Sequence, residues 1–175
     1  LSATPAIDPE AFVAAGARLI GEVCLEAGAS VWYNCVLRAD LAPVSIGRNS
    51  NLQDGTLVHV ETGRGCRIDD HVTVGHGAIL HACRIESGCL IGMGAIVLSR
   101  AVIGRGSVIA AGALVREDAR VEPFSLMAGV PARQVRKLSE EDLARHLEVA
   151  LKYIEAARRH RRLAGGEGEP AGDPA

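Results

Sequence analysis

The chain has 175 residues, of which 48% are hydrophobic and 23% charged, which suits one domain with a buried core. Only five residues are aromatic while 20 are glycine, so that core must be filled by small aliphatic side chains in a regular architecture. A formal charge of -2 leaves no basic footprint for nucleic acid, and no apolar run approaches the ~18 residues of a membrane span.

The opening Leu1-Ser2-Ala3-Thr4-Pro5 has neither the basic region nor the apolar stretch of a signal peptide. The five cysteines (Cys24, Cys35, Cys66, Cys83, Cys89) form no C-x-x-C pair, which argues against a disulfide framework or a cysteine zinc knuckle. They read as packing residues, and a reducing, cytoplasmic location is expected.

From Ile7 an aliphatic residue returns every six positions, through Val13, Leu19, Leu25 and Val31 to Leu37. The beat resumes at Ile46, Leu52 and Val58, resets to Ile68, Val74 and Leu80, and runs on from Ile85 to Met127. A small residue commonly stands four positions later, as at Ala29, Cys35, Thr56, Ala78 and Ala95. A helix would repeat every 3.6 residues and a plain strand every two. Period six with a small residue suits a short strand followed by a tight corner. The pattern resembles the hexapeptide-repeat, left-handed parallel β-helix, an all-β solenoid in which three hexads make one triangular coil. Twenty hexads then give about seven coils over residues 1–133. The nine-residue step from Leu37 to Ile46 and the ten-residue step from Val58 to Ile68 predict loops thrown outward, where sites are often built.

Beyond Gly129-Val130-Pro131-Ala132 the beat stops, and residues 134–163 are expected to form a C-terminal α-helical segment. Ser139 is its N-cap candidate, with Glu140, Glu141 and Asp142 in the first turn and Leu143, Leu147, Leu151 and Ile154 on one face. Arg158, Arg159, Arg161 and Arg162 suit a solvated helix end. Residues 164–175 have nothing to bury and should be a disordered tail.

Four of the six histidines fall between positions 59 and 81. His59 follows Val58 and His81 follows Leu80, one full coil apart in hexad phase. They should therefore stack about 4.8 Å apart on one face, where two imidazoles can converge on one ion. Arg38 follows Leu37 and belongs to the same column one coil earlier. His76 lies two places after Val74, on the adjoining face, up to about 16 Å of extended chain from His81. One chain should not close a three-histidine site, whereas a neighbouring copy could supply His76 in a three-fold assembly. His71 reads as a structural corner, and His146 and His160 as surface residues.

The elements Arg38-x-Asp40, Asn51-x-Gln53-Asp54, His59 and His76-x-x-x-x-His81, with the Gly-Val-Pro-Ala exit and terminal helix, resemble the γ-class carbonic anhydrases over roughly residues 7–155. That resemblance implies a homotrimer hydrating CO2 reversibly to bicarbonate. His59 and His81 would bind Zn2+ from one subunit and His76 from the next. Gln53 would orient the reacting hydroxide or bicarbonate, Arg38 and Asp40 would form an intersubunit ion pair, and Asp54 would hold the polar network. Zinc chemistry fits, because zinc lowers the pKa of bound water from 15.7 to about 7; Fe2+ or Co2+ could occupy the same imidazoles. The loop after His59 is short and Leu41 follows Asp40, leaving Glu61 as the proton relay or a solvated loop residue. Two other readings stand beside this one. One is an acyltransferase or thioesterase of the same repeat fold, and the other a metal-bearing structural subunit with weak or no catalysis.

Overall fold

The computed structural model describes residues 3–164. Its strands are mostly two or three residues long, as a six-residue period with a corner in each repeat requires. They stack in register into a parallel β-solenoid of about seven coils, closed by the single helix Glu140–Ala164. The strands Leu57–His59, Ile79–His81, Ile96–Val97 and Leu114–Val115 build one face; Cys66–Ile68, Arg84–Ile85, Val102–Ile103 and Arg120–Val121 build the next. A third face is a separate eight-stranded sheet running from Phe12–Val13 through Asn51–Leu52 and Thr73–Val74 to Arg133–Lys137.

The aliphatic beat is the core. Leu37, Leu80 and Val97 stack inward on the first face, Ile46, Ile85 and Ile103 on the second, and Leu52, Ile91 and Ile109 on the third, all at 0% exposure. Burying each such side chain stabilises the fold by about 1.5–3 kcal/mol. Cys35, Cys66, Cys83 and Cys89 fill small-residue slots between them, while Cys24 is exposed. The stack ends where no coil lies beneath it: Ile7 is 47% exposed despite keeping the beat.

Three expectations are revised. In place of an outward loop between Leu37 and Ile46, the strand Val36–Ile46 runs unbroken around a corner beside Arg18–Leu25. Its surplus is a bulge, in which residues 40–43 stand opposite Glu22 alone. A bulge re-aims side chains without leaving the ladder, and Asp40 sits on it. Residues 134–137, expected in the helical segment, belong instead to the strand Arg133–Lys137, antiparallel to Ser125–Ala128, before the helix begins at Glu140. The arginines of the helix end are exposed, as expected, but His160 is partly buried and, with Arg161, is tied to the solenoid. The Tyr33 hydroxyl and His160 Nδ1 are hydrogen-bonded at 2.8 Å, and the Arg161 guanidinium donates to the carbonyls of Glu10 and Ala11 at 2.6 and 2.8 Å. The foot of the helix is thereby pinned to the first coils. Ala164 belongs to the helix, and the remainder of the expected tail lies outside the described residues. No helix among them is long and apolar enough to cross a membrane.

Candidate functional site

The register places Arg38, His59 and His81 side by side on successive rungs, as the hexad phase predicts. His59 Nδ1 and His81 Nε2 face each other at 3.1 Å. Their outer nitrogens are each engaged: His59 Nε2 with Asp40 Oδ1 at 3.0 Å, and His81 Nδ1 with Ser99 Oγ at 2.8 Å. Asp40 also pairs with Arg38 two residues before it on the same strand. Residues i and i+2 of a strand share a face, which brings the two side chains together within this chain. Partial burial works against the Asp40 charge, but hydrogen bonds from Arg38 and His59 prevail and hold its carboxyl below the usual range.

Glu61 lies on the short turn after His59, closed by reciprocal backbone bonds between Glu61 and Arg64 at 3.0 and 2.9 Å. Both its oxygens accept from Arg100 Nη1 at 3.2 Å. A hydrogen bond from Ser99 and then the Arg100 charge, against partial desolvation, hold its carboxyl below the ordinary glutamate range. The solvated loop carboxylate considered from sequence is instead a tethered one beside His81.

His76, Gln53 and Asp54 form a second group on the third face. His76 sits at the corner between Thr73–Val74 and Ile79–His81, and Gly77 beyond it turns the chain at φ +65°. Gly75 before it leaves no room for a Cβ, which would meet Met93 N of the next rung at 2.6 Å. His76 Nδ1 pairs with Asp54 Oδ2 at 2.8 Å. Gln53 is buried, and its amide donates to Asn51 Oδ1 at 3.3 Å while Asn51 donates to Thr73 Oγ1 at 3.0 Å. Gln53 and His76 form the polar end of a groove of about 490 Å³ whose walls include Met93, Val108, Val149 and Tyr153. Burial, and then the Asp54 charge, pushes the Tyr153 hydroxyl up.

The expected site residues thus divide into two half-sites: Arg38, Asp40, His59, Glu61 and His81 on one face, Gln53, Asp54 and His76 at another. Among the described residues no three His, Cys, Asp or Glu side chains of one chain come together to hold a metal.

Comparison with known proteins bears on this division. Residues 82–117 match the family model "Bacterial transferase hexapeptide (six repeats)". The chain is 39% identical over 160 residues to a carbonic anhydrase of Geobacillus kaustophilus, covering 91% of this chain and 88% of the relative. It is 43% identical over 162 residues to the mitochondrial gamma carbonic anhydrase 1 of Arabidopsis thaliana, covering 89% of this chain and 59% of the relative. The chain belongs to the γ-class carbonic anhydrase family.

The chain spans 59% of the length of its Arabidopsis relative, which is the larger protein. Among solved structures, a hexapeptide transferase family protein from Anaplasma phagocytophilum superposes with a TM-score of 0.85 at 40% identity, covering 89% of this chain and 92% of that one. Within this γ-class carbonic anhydrase scaffold the donor set of the first half-site fits a zinc-like ion. Two donors bound at about 2.1 Å to one tetrahedral ion stand roughly 3.4 Å apart, close to the 3.1 Å between the facing imidazole nitrogens. Ligating histidines also engage their other ring nitrogen with a carboxylate or another hydrogen-bonding group, as Asp40 and Ser99 do here. The sequence reading missed Ser99, Arg100 and Tyr153. Ser99 and Arg100 sit just past the hexad beat at Val97, and nothing in their own neighbourhood marks them.

Proposed function

We propose that the protein is a metal-dependent carbonic anhydrase acting as a homotrimer, with His59 and His81 of one subunit and His76 of the next holding one zinc-class ion. The observation that carries this reading is the pair of facing imidazole nitrogens 3.1 Å apart, with the third histidine on a different face. The outer surface supports an assembly. Val36, Leu57, Ile79, Ile96 and Leu114 form an in-register outward column on the face bearing His59 and His81, with Leu57 43% and Ile79 36% exposed. The equivalent column on the next face carries Arg67, Arg84 and Arg120. An aliphatic ladder where its neighbour is charged marks a surface to be covered, and a second copy covers it while bringing His76 to the pair.

A bound zinc-class ion supplies water that ionises near neutral pH. Asp40 fixes the His59 ring and Asp54 the His76 ring. The buried Gln53 amide, steadied by Asn51, orients water and bicarbonate, and the apolar groove beside it admits CO2. Fe2+ or Co2+ suits the same three imidazoles. Glu61, ionised and tied to Arg100, is a weak proton acceptor, which favours slow proton exit.

Mixing variants tests the shared site. His76→Ala and His81→Ala chains should each lose metal and CO2 hydration. Unfolded and refolded together, they should recover both in about a quarter of the sites, since random three-fold assembly pairs an intact His59/His81 set with an intact His76 at that frequency. No recovery, or unchanged metal in His76→Ala, would overturn the intersubunit arrangement. Acyl transfer that survives chelation would favour the acyltransferase reading instead.

A further inference from the structure

The second face of the solenoid carries an arginine column that the proposed function does not use. Arg67 and Arg84 stand opposite each other on adjacent rungs, and Arg120 stands two rungs beyond Arg84 with the partly buried Val102 between them. Rungs lie about 4.8 Å apart, so Arg84 and Arg120 flank a notch roughly 10 Å wide. Arg64, on the turn after His59, and Arg100, at the corner, line it as well. These five arginines surround a groove of about 360 Å³ whose lining also includes the small residues Ala82 and Ala101.

A guanidinium stays charged at neutral pH, and like charges on facing strand positions are destabilising unless an anion lies between them. The chain supplies anions to three of the five. Asp69 accepts from Arg67 Nε at 2.5 Å and lies 3.4 Å from Arg84 Nη2. Arg100 is held by three acids: both oxygens of Asp118 at 2.7 and 3.0 Å, Glu117 at 3.2 Å and Glu61 at 3.2 Å. Arg64 and Arg120 are exposed, and among the described residues neither guanidinium is paired with a carboxylate. Three of the four bonded carboxylates thus crowd onto Arg100, and positive charge is left over at Arg64 and Arg120.

We propose that this groove binds a phosphate group, free or at the end of a small phosphomonoester. The arginine fork matches phosphate bidentately, and a phosphate presents three strong acceptor oxygens with up to two negative charges. Arg64, Arg84 and Arg120 can therefore grip it from different sides at once, whereas a carboxylate has only two oxygens to share among them. The volume falls in the range of small-molecule sites, which leaves room for a short ester, and no aromatic ring lines the groove to stack a base. The proposed assembly covers the aliphatic face, so this one stays open, and the site needs no metal.

Calorimetric titration of the full-length protein at fixed ionic strength tests the site, with inorganic phosphate, glycerol 3-phosphate and glycerol as probes. The phosphates should bind saturably and glycerol should not. Arg64→Gln and Arg120→Gln should each raise the dissociation constant about 10-fold or more, the loss expected for a hydrogen bond between charged groups. Arg159→Gln, at the exposed helix end, should leave it unchanged. Binding of both phosphates would identify an ester as a ligand, and binding of inorganic phosphate alone would identify the free ion; either upholds the site. No saturable binding, or binding that survives Arg64→Gln and Arg120→Gln together, would overturn it. So would binding lost on chelation, which would place the phosphate on a metal ion instead.

Discussion

At the residue scale, Asp40 is the acid on which the first half-site depends. It receives the Arg38 guanidinium and His59 Nε2, and the bulge at residues 40–43 turns it toward the histidine column. Asp40→Asn preserves shape and bulge but removes the charge that draws a proton to the outer nitrogen of His59. Metal affinity should fall 10–100-fold, as for other partners behind a ligating imidazole, while the thermal unfolding midpoint of the metal-free protein stays close to wild type. Equal affinity in the two proteins would mean that His59 is not oriented by this carboxylate. Arg38, His59 and His81 could be placed in one column from sequence because hexad phase counts residues. The aim of Asp40 could not, because its bulge arises from unequal lengths of two paired strands, 18–25 and 36–46.

At the element scale, the C-terminal helix shows what a periodic reading captures and what it leaves out. Its start was legible: Ser139 Oγ accepts the Asp142 N–H at 3.2 Å, and Asp142 Oδ2 accepts the Ser139 N–H at 3.0 Å, a reciprocal cap. The packed seam was less so. Leu143, Ala150 and Ala157 are buried, whereas Leu151 is 56% exposed, because small residues let the helix approach the solenoid closely. Arg136, on the preceding strand, lies 2.9 Å from Asp142. Arg136 first, and then the Ser139 N–H, hold the Asp142 carboxyl well below its ordinary value. A depressed folded-state pKa stabilises above the unfolded value of about 3.9 and is lost as pH falls through the folded one. Asp142→Asn should therefore melt below wild type at pH 7, and the gap should close as pH drops below about 4. A gap constant from pH 7 to pH 2 would show that its charge does not support the cap.

At the scale of the whole molecule, the six-residue beat made the coils, their number and their inward columns readable, because each repeat carries its own aliphatic residue. Hexad phase placed His59 and His81 on neighbouring rungs, but not the contact of His81 with Ser99, 18 residues on, because Ser99 lies past the beat and no local pattern ties the two. The same architecture sets how damage spreads. A coil in a solenoid rests only on its neighbours, so a defect in the middle weakens two interfaces and one at the end weakens at most one. Leu80 is fully buried between the rungs of Val58 and Val97, while Ile7 has no rung beneath it and is 47% exposed. Leu80→Ala should cost about 2–5 kcal/mol through lost burial and the cavity left behind, and Ile7→Ala within about 0.5 kcal/mol, measured by urea unfolding. Both residues keep the same beat in the sequence, so equal losses would mean that position along the stack does not govern stability.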